Sequence, residues 1–190
     1  RDYVEFPSQL LEHWLSTPEI LNRYALHYQT GKPIPKELVD KIEAAGRFNE
    51  GFKTVEYLSS ALIDMKLHLA GDTPIDPDKF ERETLAALGM PHEIVMRHRT
   101  PQFNHVFSGD GYSAGYYSYL WSDTITADAW EAFTEAGGPW DKTVGARLKT
   151  LLSLGNTVDP ADAYRAFRGR DPGIAALMRK RGFPVPPDAK

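Results

Sequence analysis

Phe48-Asn49-Glu50-Gly51-Phe52-Lys53-Thr54-Val55-Glu56-Tyr57-Leu58-Ser59-Ser60-Ala61-Leu62-Ile63-Asp64-Met65-Lys66-Leu67-His68-Leu69 is the stretch that decides the fold. Within it Phe52, Val55, Leu58, Ala61, Leu62, Met65 and Leu69 recur at intervals of three and four residues. That is the period of one face of an α-helix, and it is the strongest such period in the chain. Gly71-Asp72-Thr73-Pro74 stops it, and Asp76-Pro77 opens a further helix toward Gly89. On the other side, Ser8 to Tyr28 reads as two helices split at Thr17-Pro18, the second carrying Ile20, Leu21, Tyr24 and Tyr28. Thr30 to Pro35 is a loop, after which Pro35 opens a helix to Ala45. Met90 to Gly111 is irregular and long for a structureless loop, which points to function or to a short strand or two. Tyr112 to Ala136 reads as one long helix with Gly115 inside it. Lys142 to Leu154 is another, and Asp159-Pro160 and Asp171-Pro172 each look like a fresh N-cap. With no internal repeat and no βαβ alternation, the expected class is all-α, with at most a few short strands.

The chain has 190 residues, 42% hydrophobic and 25% charged, which is ordinary globular composition and enough for a real core. A formal net charge of −4 gives duplex nucleic acid no electrostatic footprint to use. The basic cluster Arg179-Lys180-Arg181 suits the last turn of a helix, complementing its dipole. There is no cysteine, which removes disulfides, thiolate nucleophiles and cysteine-based zinc sites together. That suits a cytoplasmic protein, with the periplasm as the alternative. No apolar run approaches the length of a membrane span.

Two segments carry chemistry-bearing residues. In Asp2-Tyr3-Val4-Glu5-Phe6-Pro7-Ser8-Gln9, Glu5 is a lone carboxylate near a helix start, where an acid is favoured by the dipole alone. From His105 to Trp121, His-Val-Phe-Ser-Gly-Asp-Gly-Tyr-Ser-Ala-Gly-Tyr-Tyr-Ser-Tyr-Leu-Trp, four tyrosines fall within eight residues. A helix would place Tyr112, Tyr116 and Tyr119 on one face. Such a stripe is either aromatic core or, beside a glycine-rich loop with its histidine, a set of hydroxyls and an imidazole converging on a ligand. Arg99, just before that loop, suits a peptide carboxylate or a surface ion pair equally. His13, His27, His68, His92 and His98 are scattered without metal-ligand spacing, which favours structural or surface roles.

Both segments resemble those of the zinc metallopeptidases typified by thimet oligopeptidase and the bacterial peptidyl-dipeptidases, and the resemblance runs from Asp2 to Phe183. The first is similar to the stretch that follows the family's His-Glu-x-x-His helix, and the resemblance implies that Glu5 is the third protein ligand of the zinc. The second is similar to the family's Gly-Tyr-x-Ala-x-Tyr-Tyr-x-Tyr-Leu-Trp segment. It implies that Tyr112 and Tyr119 stabilise the oxyanion formed as zinc-activated water attacks a peptide carbonyl, and that His105 and Tyr116 align the substrate. Donors aimed at such an oxyanion supply about 3–4 kcal/mol each. The loop from His105 to Tyr112 is about two residues longer than in the animal oligopeptidases. Phe6-Pro7-Ser8-Gln9 and Glu12-His13-Trp14 lean toward the peptidyl-dipeptidases, which release C-terminal dipeptides from short peptides; endo-acting oligopeptidases and a non-enzymatic peptide-binding module are the alternatives.

His-Glu-x-x-His itself is missing, since His92-Glu93 is followed by Ile94, Val95 and Met96. The expectation is therefore that residues 1–190 are the C-terminal helical portion of a longer enzyme, one side of a two-sided cleft. Its partners would be the N-terminal part of the same polypeptide and a short peptide substrate, and the fragment alone would be inactive.

Overall fold

The structure, a computed structural model, describes residues 2–185 and 187. Among these, ten α-helices follow one another: α1 (Phe6–Glu12), α2 (Pro18–Tyr24), α3 (Lys36–Gly46), α4 (Glu50–His68), α5 (Pro77–Ala87), α6 (Asn104–Phe107), α7 (Ser118–Glu135), α8 (Lys142–Leu154), α9 (Pro160–Arg168) and α10 (Ala175–Arg181). Short 3₁₀ turns occupy His13–Ser16 and Thr100–Gln102. The extended element among the described residues is a single antiparallel bridge between Leu26 and Pro33. The all-α class is thus as the sequence indicates. No described helix is long and apolar enough to cross a membrane.

The chain forms two compact units, one of residues Asn49–Tyr119 and one of Asp2–Phe48 with the described residues from Leu120 onward. In the second, Phe6 and Leu10 of α1, Ile125, Ala129, Ala132 and Phe133 of α7, Val144, Leu148 and Leu151 of α8, and Ala163, Tyr164 and Phe167 of α9 form one buried cluster. The three-, four- and seven-residue spacings of these positions put them on single helix faces. Burying each large member stabilises the unit by roughly 1.5–3 kcal/mol. Asp141 and Asp159 cap α8 and α9 by accepting from Val144 and Ala161 N–H, each at 2.8 Å. Asp128, 1% exposed in that cluster's midst, accepts from Tyr164 Oη at 2.5 Å and from Arg168 Nε at 3.2 Å, and pairs with Arg170. Arg168 also holds Glu135, keeping that carboxyl below its ordinary range.

Two local expectations are corrected here. Tyr28 is not helical: α2 ends at Tyr24, because Ala25 leaves helical geometry and enters the Leu26–Pro33 bridge through Ile34 N–H to Ala25 C=O. Asp171 does not cap α10, whose N-cap is Ile174; its carboxylate is taken instead by Arg165 at 2.7 Å. The basic run at Arg179-Lys180-Arg181 does lie in the last turn of α10, and it also reaches across to α7, pairing with Glu131 and Asp123.

In the unit of residues Asn49–Tyr119, α4 forms where its period demands, but of its apolar stripe only Ala61 is fully buried, with Leu58 and Met65 half-buried. Ser59, Ser60, Ala61, Ile63 and Asp64 are buried, while Phe52, Val55, Leu62 and Leu69 are exposed. The polar side turns inward because Asp64 has backbone partners waiting for it.

Candidate active site

The segment from Arg97 to Tyr119 is fixed from two sides. Glu81 of α5, 4% exposed, accepts from Thr100 N–H at 2.9 Å and from Thr100 Oγ1 at 3.0 Å. Arg99 lies 2.6 Å from the same carboxylate and 2.7 Å from Asp78. Of the two roles open to Arg99, the structure gives it the ion pair. Phe103 and Val106, both buried, anchor the segment, and His98 stacks on Phe103 at 4.8 Å with the ring planes 6° apart. Pro101, the second residue of the 3₁₀ turn, and the bend at Phe103 then present α6, with His105 on its exposed side. The irregular stretch before Gly111 is therefore two short helical turns rather than strands.

The second support comes from α4. Asp64, 1% exposed, accepts from Ala114 N–H at 3.0 Å and Tyr116 N–H at 2.9 Å, with His68 Nδ1 2.9 Å away on its own helix. Tyr57, two turns earlier, donates to the Tyr116 carbonyl and stacks on the Tyr116 ring at 5.3 Å. These bonds claim amides and a carbonyl that a helix would use itself. The long helix expected from Tyr112 consequently starts only at Ser118, and residues 112–117 run as turns. Ala114 takes φ +52°, a left-handed value uncommon outside glycine. At Gly115 a Cβ would meet the Tyr112 backbone at 3.2–3.3 Å, so the glycine allows that close approach.

The tyrosines converge without the helix. Tyr112 and Tyr119 stack with planes 4° apart and centroids at 5.5 Å, and Tyr116 meets Tyr119 edge-on at 5.5 Å. His105 Nε2 lies 2.9 Å from Tyr119 Oη, and its ring is 4.4 Å from that of Tyr112. His105, Tyr112, Tyr116 and Tyr119 are thus one cluster, and none of them is fully buried. Burial raises the Tyr116 phenol above its usual range, so it stays a donor; burial and then Arg97 push His98 down, so its imidazole favours neutrality. A cavity of about 280 Å³ opens among Arg97, His98, Phe103, His105, Tyr116 and Tyr119.

Glu5 stands in the other unit, half-buried at the N-cap of α1, its carbonyl accepting from Gln9 N–H and Ser8 Oγ, both at 3.0 Å. Pro7 sits in the first turn, so the helix runs on through Gln9 to Glu12. Among the described residues no group of three or more His, Cys, Asp or Glu is placed to hold a metal ion. Asp64, Tyr57, Arg97 and His98 were not singled out by sequence for this cluster. The one local signal was the spacing of Asp64 and His68, which a helix brings together at i, i+4.

The sequence profile of Peptidase family M3 matches residues 1–183. Dipeptidyl carboxypeptidase of Escherichia coli (strain K12) is 41% identical over 189 residues, covering 97% of this chain and 28% of that protein. Oligopeptidase A of the same organism is 39% identical over 188 residues, 96% of this chain and 27% of the relative. Saccharolysin of Saccharomyces cerevisiae is 30% identical over 187 residues, 96% and 26% respectively. The chain spans little more than a quarter of the length of these curated relatives. With the tyrosine cluster and a profile matched over nearly every residue, the chain belongs to Peptidase family M3, a family of metallopeptidases.

Proposed function

We propose that this chain is the C-terminal portion of a longer zinc peptidase that releases dipeptides from the C-terminus of short peptides. The observation that carries the proposal is the 2.9 Å approach of His105 Nε2 to Tyr119 Oη beneath the parallel ring of Tyr112. With Nε2–H donating to the phenol oxygen, His105 positions the Tyr119 hydroxyl. A neutral phenol can then donate to the oxyanion that builds as the peptide bond is attacked, without bringing a formal charge. Tyr112 is the second donor. Tyr116, its backbone clamped by Asp64 and Tyr57, aligns the peptide together with His105.

The described residues do not by themselves make up a metal site. Glu5 is the one zinc ligand we assign here, and a lone carboxylate leaves most of the coordination shell to water. The remaining ligands belong to polypeptide outside this sequence, so residues 1–190 alone are inactive. Release of dipeptides is favoured over internal cleavage by the higher identity to a protein named dipeptidyl carboxypeptidase; the similar identity to proteins named oligopeptidase A supports endo-acting cleavage as the second possibility. Mass spectrometry of products from the full-length, zinc-loaded enzyme and a bradykinin-like nonapeptide separates these. Stepwise loss of C-terminal dipeptides supports the first, internal cuts the second, and an intact peptide refutes both. Zinc-dependent cleavage by residues 1–190 alone would refute the assignment of the missing ligands.

A further inference from the structure

One imidazole outside the tyrosine cluster bears on the carboxylate that holds it. His68 closes the last turn of α4, one helical turn after Asp64, with its side chain 23% exposed against 1% for that of Asp64. Its Nδ1 stands 2.8 Å from the Asp64 carbonyl oxygen and 2.9 Å from Asp64 Oδ1. A carbonyl oxygen can only accept, so Nδ1 carries the proton, and that N–H is shared with the carboxylate. The ring lies 5.8 Å from that of Phe107, the last residue of α6, so the imidazole is held by packing as well as by its bond. Asp64 Oδ1 thus receives Ala114 N–H and the imidazole, while Oδ2 receives Tyr116 N–H. A carboxylate removed from water must find its donors in the protein. Two of these donors belong to the tyrosine loop, and the third, His68, comes from the helix.

We propose that His68 is a positioning residue for the peptidase reaction: its Nδ1–H fixes the Asp64 carboxylate, which in turn sets the backbone that aims Tyr112 and Tyr116. The assignment rests on the peptidase function proposed above. His68 is not among the residues lining the 280 Å³ cavity, so its effect on turnover runs through Asp64. Without it, the loop amides and the carboxylate have to hold one another, and the loop loses a tie to α4. The cavity wall at His98 and Phe103 is held separately, by the ring stack and by the bonds from Glu81 to Thr100. Loss of His68 should therefore lower kcat and leave KM nearly unchanged.

The test uses the full-length, zinc-loaded enzyme and a bradykinin-like peptide, with unfolding midpoints measured alongside. His68→Leu removes the donor. His68→Asn places an amide N–H close to the former Nδ1, whereas His68→Gln carries it one methylene further, toward the former Nε2. His68→Leu and His68→Gln should lose about 10- to 100-fold in kcat, the scale at which a small misplacement of reacting groups lowers turnover. His68→Asn should recover most of that loss. If His68→Leu does not fold, the contrast between Asn and Gln decides. Equal kcat in His68→Asn and His68→Gln, or full kcat in folded His68→Leu, overturns the role of His68 and leaves the peptidase function standing. An unaltered enzyme that leaves the peptide intact removes the peptidase function, and the role of His68 with it.

Discussion

The buried Oδ2 of Asp64 lies 2.9 Å from the backbone nitrogen of Tyr116, so a helix-borne carboxylate holds the tyrosine loop by its main chain. The same side chain takes Ala114 N–H and neighbours His68. Removing it leaves two amides short of an acceptor in a part-buried place, and each such loss costs about 1–3 kcal/mol.

Asp64→Ala is therefore expected to destabilise the full-length enzyme by about 2–4 kcal/mol in denaturant unfolding. Below the unfolding transition, kcat should fall more than KM rises, since the loop that aims Tyr112 and Tyr116 is loosened while the cavity wall remains. Asp64→Asn should be intermediate, because its amide retains one acceptor and turns a donor toward the second N–H. A variant with normal stability and normal kcat would show that the clamp is dispensable.

Asp128 is the corresponding centre of the other unit. Tyr164, Arg168 and Arg170 all converge on it, and burial first, then the hydrogen bond that Tyr164 Oη donates to Asp128, raises that phenol well above its ordinary range. Asp128→Ala strips the counter-charge from Arg168 and should cost about 3–5 kcal/mol, read as a lowered midpoint of unfolding. A loss below 1 kcal/mol would mean that Glu135 alone satisfies Arg168.

His13 supplies a pH dependence. It stacks on Trp130 at 4.8 Å, and burial first, then Lys180, lower it to about 4 from the ordinary 6.5, against an opposing pull from Asp123. Between those values the unfolded chain binds a proton that the folded one refuses. Stability should therefore fall as pH drops from about 6.5 to about 4, by roughly 1–3 kcal/mol after allowing for partial solvent screening, and level off below. His13→Phe keeps the stack and should flatten that portion of the curve. An unchanged slope in His13→Phe would assign the acid sensitivity to other groups.

Helix positions were legible where periodicity and caps coincided: α4 at its seven-position stripe, α8 between Asp141 and Gly155, α9 after Asp159-Pro160. The burial of α4 was not legible, because exposed Phe52, Val55 and Leu62 look like core while Ser59, Ser60 and Asp64 look like surface. A side chain that satisfies backbone donors fifty residues away leaves no local trace beyond, here, the i, i+4 spacing of Asp64 and His68. The same non-local bonds explain why Tyr112 to Tyr117 form turns instead of helix. The tyrosines were identifiable as a group because three of them share one helical face on paper, and the real loop brings the same rings together by another route. Arg99, and not Arg97, stood out in the sequence beside the loop, and its ion-pair role became legible only through Asp78 and Glu81 on a neighbouring helix.

The hydroxyl of Tyr119 decides whether the cluster is chemical or merely packed, and replacing it with hydrogen in the full-length, zinc-loaded enzyme tests that most directly. Tyr119→Phe keeps the ring against Tyr112 and Tyr116 and removes only the donor beside His105. The expected result is a fall in kcat of about 10²- to 10³-fold, with KM and the unfolding midpoint nearly unchanged. Full kcat in Tyr119→Phe, or a loss of activity matched by a loss of stability, would contradict a catalytic role for this group.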